Sequence, residues 1–287
     1  MNRPLYEYNN ACLFYHHSID INPDPINFTF QAHELFELYH FVNGSASFFI
    51  EGQNYNLNKH DIVLIRPGEL HSLKVAPDNL LERQVFHFTE HAALAIDPEK
   101  QFLQPFLDRP LGSNNLYTPT MLNSNYVVHC FNNIEQSPHP LDPVILSSLY
   151  GILSEIYLSF SNNRKTTVCE EFDLSQQIID YINNHLTEDL ALEKLAKHFY
   201  LSKTQLGRIF KKTAGTNVWE YILYKRLVMA RQKIQSGESV VTASQNSGFH
   251  DYSAFYRAYK KKYGVCPSCN KNKLNTDYNI RREKYIF

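Results

Sequence analysis

Two stretches of this chain carry side chains whose types and spacing could do chemistry. Arg208, Lys211 and Lys212 lie in Leu206-Gly207-Arg208-Ile209-Phe210-Lys211-Lys212-Thr213-Ala214-Gly215, and Arg257, Lys260 and Lys261 lie in Phe255-Tyr256-Arg257-Ala258-Tyr259-Lys260-Lys261-Lys262-Tyr263-Gly264. In each copy an apolar residue is followed two positions later by Arg, then an aromatic, a Lys pair and a Gly, with the Arg residues 49 positions apart. Guanidinium and ammonium groups in such a row pair with phosphate oxygens, and Arg can also grip a guanine edge bidentately. The other stretch is His33-x3-Glu37-x6-Gly44 together with Arg66-Pro67-Gly68-Glu69-Leu70-His71. Its imidazoles and carboxylate could hold a metal ion or hydrogen-bond the hydroxyls or carboxylate of a small molecule.

The basic residues need helices to present them. Leu192, Leu195, Ala196 and Phe199 recur at helical spacing, so 189–199 reads as a short amphipathic helix. Ser202 can cap a second helix from Lys203, with Leu206, Ile209 and Phe210 inward and Gly215 at its end. Two short helices joined by a tight turn make a helix-turn-helix, whose second helix enters the DNA major groove. Its readers would be Ser202, Lys203, Thr204, Gln205, Arg208, Lys211 and Lys212. The second copy repeats the plan. Val240, Val241 and Ala243 start the supporting helix, Gly248-Phe249 makes the turn, and Asp251 caps a recognition helix from Tyr252 to about Tyr263. Phe255 and Tyr259 face inward; Tyr252, Ser253, Tyr256, Arg257, Lys260 and Lys261 face the duplex. Between the copies, Val218–Gln235 has no Gly or Pro and predicts one continuous helix, roughly 27 Å long at ~1.5 Å per residue. Flanking turns would bring the two recognition helices near the ~34 Å repeat of the major groove.

Across 189–267 the sequence resembles the AraC/XylS family of bacterial transcription regulators. The resemblance rests on Leu195-Ala196, Leu201-Ser202, Leu206, Arg208, Phe210-Lys211, Gly215, Tyr221-Ile222, Arg226-Leu227, Ala230, Gly248-Phe249, Asp251, Ser253, Phe255, Arg257, Lys260, Gly264 and Pro267. The chain departs from the family at Ala243-Ser244, where Ile-Ala is usual, at Asn270, where an aromatic is usual, and at Gly207, where a base-reading side chain is common.

Charge divides the chain. From Phe172 onward 19 Lys and Arg stand against 10 Asp and Glu, a net of +9; before it 9 stand against 19, a net of −10, hidden in a formal charge of −1. The basic part suits phosphates and the acidic part another kind of partner. Five cysteines are present, no apolar run approaches the ~18 residues that span a bilayer, and Met1-Asn2-Arg3-Pro4 opens no apolar signal core. These features predict a cytoplasmic chain with reduced thiols and no membrane partner. Cys266-Pro267-Ser268-Cys269 could be a redox pair or half a zinc site. No second Cys pair or suitably spaced His follows it, and the resemblance places a helix start there.

Upstream, Phe28-Thr29-Phe30, 35–42, 45–50, 53–57, 61–65, 71–75 and 83–88 are short runs rich in β-branched and aromatic residues, separated by turn residues. They predict an antiparallel barrel or jelly roll; 1–15 would be an arm or a first strand. The two histidine motifs resemble those of cupins, common in the sensor half of AraC-type regulators. Gln31 takes the place of the first cupin ligand, leaving His33, Glu37 and His71. The expected fold class is thus α+β, with an N-terminal cupin-like jelly roll, accessory helices and a C-terminal all-α domain bearing two helix-turn-helix motifs. The expected effector residues are His33, Glu37, Tyr39, Arg66, His71 and Arg83, with Phe41, Phe48 and Phe86 as further aromatic wall and His87 as a further polar candidate. Polar edges satisfied and a ring face stacked would suit a carbohydrate. Segments 91–107 and 143–160 read as helices, the latter rich enough in apolar residues to pair with a twin in a homodimer.

The domain organisation follows: 1–160 cupin-like effector-binding and dimerisation, 161–171 linker, 172–271 DNA-binding, 272–287 tail. The resemblance implies a regulator, typically an activator, with double-stranded DNA and RNA polymerase as partners, no cofactor and no catalytic residues. A metal-dependent cupin enzyme with a helical appendage, and a regulator sensing a hydrophobic ligand or none, are the alternatives.

Overall fold

A computed structural model describes residues 4–23, 31–76, 80–137, 142–163 and 174–270. The strands come first: β1 (Pro4–Asn9), β2 (Leu13–Ile21), β3 (Phe36–Gly44), β4 (Ala46–Ile50), β5 (Gln53–Asn56), β6 (Ile62–Ile65), β7 (His71–Val75), β8 (Leu80–Phe88) and, later, β9 (Leu116–Tyr117). They form a six-stranded sheet in the order β1-β2-β8-β3-β6-β9 and a three-stranded sheet β5-β4-β7. Every pairing is antiparallel. The two sheets close over Tyr39, Phe41, Phe48, Ile50, Val63, Ile65, Leu73 and Val85, which is the barrel core.

Side chains alternate across a strand, so β3 and β8 serve two cores at once. Phe36, Leu38, Phe86 and Phe88 turn outward onto helices, while Tyr39, Phe41, Leu81 and Val85 turn into the barrel. Phe86 therefore does not belong to the barrel's aromatic wall. Because both faces of the sheet are covered, β3 is buried without a break from Phe36 to Phe41, polar Glu37 and His40 included, and alternation in the sequence does not reveal the inward face.

The outer face is covered by α1 (Glu90–Leu94), α2 (Gln104–Leu107), α3 (Ser124–Gln136) and α4 (Asp142–Asn163). The continuous helix expected over 91–107 is instead two short helices and a 3-10 turn at Gln101–Leu103. Pro98 cannot donate to a helix, and the Asp97 carboxylate caps the Phe102 N–H at 2.7 Å. Helix α3, which no sequence pattern predicted, buries Val127, Cys130, Phe131 and Ile134. Contrary to the composition argument, α4 is long and apolar enough to cross a membrane; here its Ile145, Leu149, Ile152, Leu153 and Ile156 are wholly buried against the sheet side of the molecule. It also runs through 161–163, the first residues of the expected linker; 164–171, the strand at 28–30 and the tail 272–287 lie outside the described residues.

The helical half holds α5 (Leu174–Asn184), α6 (Leu192–His198), α7 (Lys203–Ala214), α8 (Val218–Gln235), α9 (Val240–Gln245) and α10 (Tyr252–Tyr263). Two small cores flank α8. Its first half joins Ile178, Ile182, Leu195, Leu206 and Phe210 through Tyr221 and Ile222; its second half joins Ala243, Phe255 and Tyr259 through Leu227, Ala230 and Ile234. A 3-10 turn at Pro267–Asn270 follows, and it brings Cys266 and Cys269 to a Cα separation of 5.3 Å, joined as a disulfide. The expectation of reduced thiols fails at this pair; Cys12 and Cys130 are free.

Candidate functional site

Helices α7 and α10 end and begin as their sequences dictate. Ser202 caps α7 in a capping box with Gln205, and Gly215 closes it in the left-handed conformation at φ 68°. Asp251 accepts from the Ser253 and Ala254 N–H groups to start α10, and Gly264 closes it, again at φ 68°. Leu206, Phe210, Phe255 and Tyr259 are buried, which turns the opposite faces to solvent. On those faces Thr204, Arg208, Lys211, Lys212, Tyr252, Ser253, Arg257, Lys260 and Lys261 are exposed and Tyr256 is half-buried.

Partners separate the cations into two groups. Among the described residues Arg208, Lys211, Lys212, Arg257, Lys260 and Lys261 make no ion pair, so their charge is available to phosphate. Lys203 instead pairs with Glu193, and the Gln205 carbonyl oxygen is engaged by the Ser202 N–H and hydroxyl, leaving its amide N–H groups as donors. Arg226, although basic and on α8, donates to the Leu186 and Glu188 carbonyls and braces the segment that follows α5.

In the barrel the register sets Glu37 opposite His87 and Tyr39 opposite Val85. Glu37 Oε2 lies 2.8 Å from His33 Nε2, 3.1 Å from His87 Nε2 and 3.6 Å from His71 Nε2. Burial pushes the Glu37 carboxyl up, but the imidazoles of His87, His33 and His71 outweigh it and hold the group well below the usual carboxylate range. Burial brings His71 down to about 4, against the Glu37 carboxylate, which pulls it up. His33, Glu37 and His87 offer ligand atoms within 4.8 Å of one another, the spacing a metal ion needs. The Tyr39 hydroxyl is buried in the barrel core with no hydrogen-bond partner among the described residues, and burial raises its pKa.

Of the expected arginines, Arg83 lies within electrostatic reach of Tyr39 and Arg66 does not join the cluster. Arg83 pairs with Asp20 across the β2–β8 ladder. Arg66 donates to the Leu107 and Arg109 carbonyls, away from the histidines. Its neighbour Glu69 is gripped bidentately by Arg109 at 2.7 and 2.8 Å and also accepts from the Gly112 N–H and the Asn115 amide. That motif is a structural knot. His87 entered the cluster through register, which the spacing of His33, Glu37 and His71 does not encode.

Two family models match the two halves of the chain. A model described as "AraC-like ligand binding domain" matches residues 22–131, and one described as "Helix-turn-helix domain" matches residues 195–272. Over 91 residues the chain is 31% identical to the multiple antibiotic resistance protein MarA of Escherichia coli strain K12, a span of 31% of this chain and 72% of MarA. The chain belongs to the AraC family. It is 24% identical over 267 residues to YfiF, an uncharacterized HTH-type transcriptional regulator of Bacillus subtilis, covering 88% of this chain and 82% of YfiF. With the regulatory protein PocR of Salmonella typhimurium it shares 32% identity over 101 residues, 35% of this chain, and spans only 33% of PocR's length. ToxT of Vibrio cholerae, solved with an unsaturated fatty acid bound, aligns over 93% of this chain and 98% of ToxT with 16% identity and a TM-score of 0.39.

In this AraC-family chain the ligand-binding barrel rests on the DNA-binding helices. The Glu51 carboxylate, 2% exposed at the β4–β5 turn, receives the Lys225 ammonium at 2.7 Å, the Tyr221 hydroxyl, and the Leu70 N–H at 2.7 Å. Lys225 also donates to the Gly68 carbonyl at 2.8 Å, and Arg231 faces Glu34 at 3.4 Å. Ala32 and Leu70 from the barrel pack into the first helical core. Gly52, at φ 92°, sits so close that a Cβ would lie 2.4 Å from Ile179 Cδ1. The loops around His33 and His71 are thus the same loops that touch α8. Tyr221 stood out in the sequence only as part of the family resemblance, and Glu51 and Lys225 not at all as partners; the one available signal was a lysine within the apolar face of α8.

Proposed function

We propose that this chain is a sequence-specific DNA-binding transcription regulator controlled by a small polar effector held in the N-terminal barrel. The observation that carries the DNA reading is the pair of recognition helices, each exposing three cations that have no ion-pair partner among the described residues, on either side of the unbroken helix α8. Major-groove reading would fall to Thr204, Arg208, Ser253 and Arg257, and phosphate contact to Lys211, Lys212, Lys260 and Lys261.

Titration of promoter DNA with the full chain and with R208A and R257A tests this. A base-reading Arg loses ~1–3 kcal/mol at one base pair and relaxes preference there, whereas a phosphate-binding Arg weakens all sequences evenly and flattens the salt dependence. No loss with either variant would refute the reading.

The effector class we infer is carbohydrate. Glu37 and the histidines offer charged and polar groups beside the aromatic rings of Tyr39, Phe41 and Phe48, and the Tyr39 hydroxyl lacks a partner that a sugar hydroxyl would supply. A thermal-shift screen of sugars, aromatic acids and fatty acids decides the class, since a specific ligand stabilises by mass action. Stabilisation by fatty acids alone would replace the carbohydrate with a hydrophobic effector.

The family and the relatives' names support regulation over enzyme chemistry. Activation, action in the cytoplasm and homodimerisation through the exposed side of α4, where Leu158 is 54% exposed, complete the proposal. Trp219, 69% exposed at the start of α8, offers an aromatic anchor for a protein partner such as RNA polymerase.

A further inference from the structure

We infer that Cys266 and Cys269 form a thiol–disulfide exchange site, open to dithiols and small disulfides, whose state sets how firmly the second recognition helix is held. The effect on DNA rests on the reading of α10 as that helix; the exchange chemistry does not.

The pair lies where α10 ends. Gly264 closes that helix, and the 3-10 turn Pro267–Asn270 that follows packs on both α8 and α10. Cys269 sits inside the turn, its N–H donating to the Cys266 carbonyl at 3.1 Å. Of the side chains from Cys266 to Cys269 only Pro267 is buried, so little apolar area holds the turn and the sulfur bridge is a principal tie. Just upstream, the Arg231 guanidinium covers the Tyr263 ring at 4.3 Å, and that ring stands 4.6 Å from Tyr259, a member of the second helical core. Loosening the turn therefore acts on the aromatic row that seats α10, the helix whose other face carries Arg257 and Lys260.

The surroundings suit exchange better than a permanent cross-link. Cys269 is exposed and Cys266 half-buried, so an incoming thiolate meets the Cys269 sulfur first. A disulfide sulfur has no hydrogen, so the Ser268 hydroxyl, 3.4 Å from Cys266 Sγ, donates to the sulfur that must leave with the electron pair. From Tyr252 to Asn270 the chain carries Arg257, Lys260, Lys261 and Lys262 and no carboxylate, a field that favours thiolates. In a reducing compartment, where this regulator is proposed to act, a disulfide is transient or redox-sensing. The step balances. A dithiol, as its thiolate, attacks Cys269 Sγ; the Cys266–Cys269 bond breaks, a mixed disulfide forms, and Cys266 leaves as a thiolate that takes a proton from water. The second thiol of the reductant, deprotonated, then closes on its own partner sulfur and releases Cys269, which is protonated in turn. Two electrons and two protons have passed to the cysteine pair, and the reductant has become a disulfide; oxidation by a small disulfide is the reverse.

The test equilibrates the full, native chain in mixtures of reduced and oxidised dithiothreitol, alkylates it and follows the peptide bearing Cys266 and Cys269 by mass. That peptide should pass from bridged to doubly alkylated without denaturant, and more slowly in S268A; an unchanged rate there would overturn the role given to the Ser268 hydroxyl. In the reduced chain and in C266S/C269S, hydrogen exchange at the amides of α10 should accelerate, and promoter affinity should fall about 10-fold, the worth of one base contact. A bridge that opens only in denaturant, α10 exchange equal in the two states, or a C266S/C269S variant that still responds to reductant would each overturn the site. Should that variant fail to fold by circular dichroism, the unaltered chain, oxidised against reduced, carries the comparison. Promoter DNA bound by neither state refutes the regulator reading, while alkylation and hydrogen exchange still judge the cysteines, so the two failures are told apart.

Discussion

At Gly207 the first recognition helix carries no side chain, and a Cβ placed there meets no atom within 4 Å. The position pays the helix cost of glycine without any close approach to justify it, so G207A should stabilise the chain by ~1 kcal/mol, read as a higher urea midpoint. The Glu69–Arg109 pair behaves differently because it is buried. Burial raises the Glu69 carboxyl, and the Arg109 guanidinium with the Gly112 N–H and Arg66 more than reverses this, from the ordinary 4.5 to about 2. A folded-state pKa below the unfolded one gives stability that is full above pH 4.5 and is lost as pH falls toward 2. The loss amounts to about 3 kcal/mol, and E69Q should remove that portion of the acid slope while lowering stability at neutral pH, because Arg109 is left buried without its counter-charge. Urea melts between pH 2 and 7 would show an unchanged slope if the pair contributed nothing.

Helix α8 is the element on which the DNA-binding half turns, since its two halves feed separate cores. Truncating Phe255, which is wholly buried between α9, α10 and α8, should cost ~3–5 kcal/mol and unseat the second recognition helix. The first core contains none of the same residues, so footprinting of F255A should lose protection over one half of the operator and keep the other. Equal loss over both halves would show that the two motifs do not stand independently. The caps and glycine stops of α7 and α10 were legible in the sequence because each is a local interaction over three or four residues. Helix α3 was not, because its polar outer face and long-range packing on Tyr15 and Phe86 leave only a diluted pattern.

Across the whole molecule, the barrel and the helices meet through a buried charge. Lys225 is 8% exposed and Glu51 2%, so E51A should leave the ammonium buried and unpaired at a cost of ~3–5 kcal/mol to docking. Hydrogen exchange at the amides of α8 should accelerate and the scattering radius of gyration should rise. The double variant E51M/K225M should restore protection, because apolar side chains of similar volume replace such a pair without the desolvation penalty. If E51A leaves α8 exchange unchanged, the pair does not hold the halves together.

What the sequence determined by itself was whatever is written locally. The tandem spacing of Arg208 and Arg257, the caps at Ser202 and Asp251, the stops at Gly215 and Gly264 and the strand-and-turn rhythm of 35–88 fixed two helical motifs and an antiparallel barrel, because each depends on neighbours a few positions apart. Only the tertiary structure decided which faces those strands turn inward. With the sheet covered on both sides, register alone brings His87 to Glu37 and sends Phe86 to the helices and Arg66 to the Arg109 knot. The same holds for Glu51 meeting Tyr221 and Lys225, residues 170 and 174 positions away, whose burial no local pattern encodes.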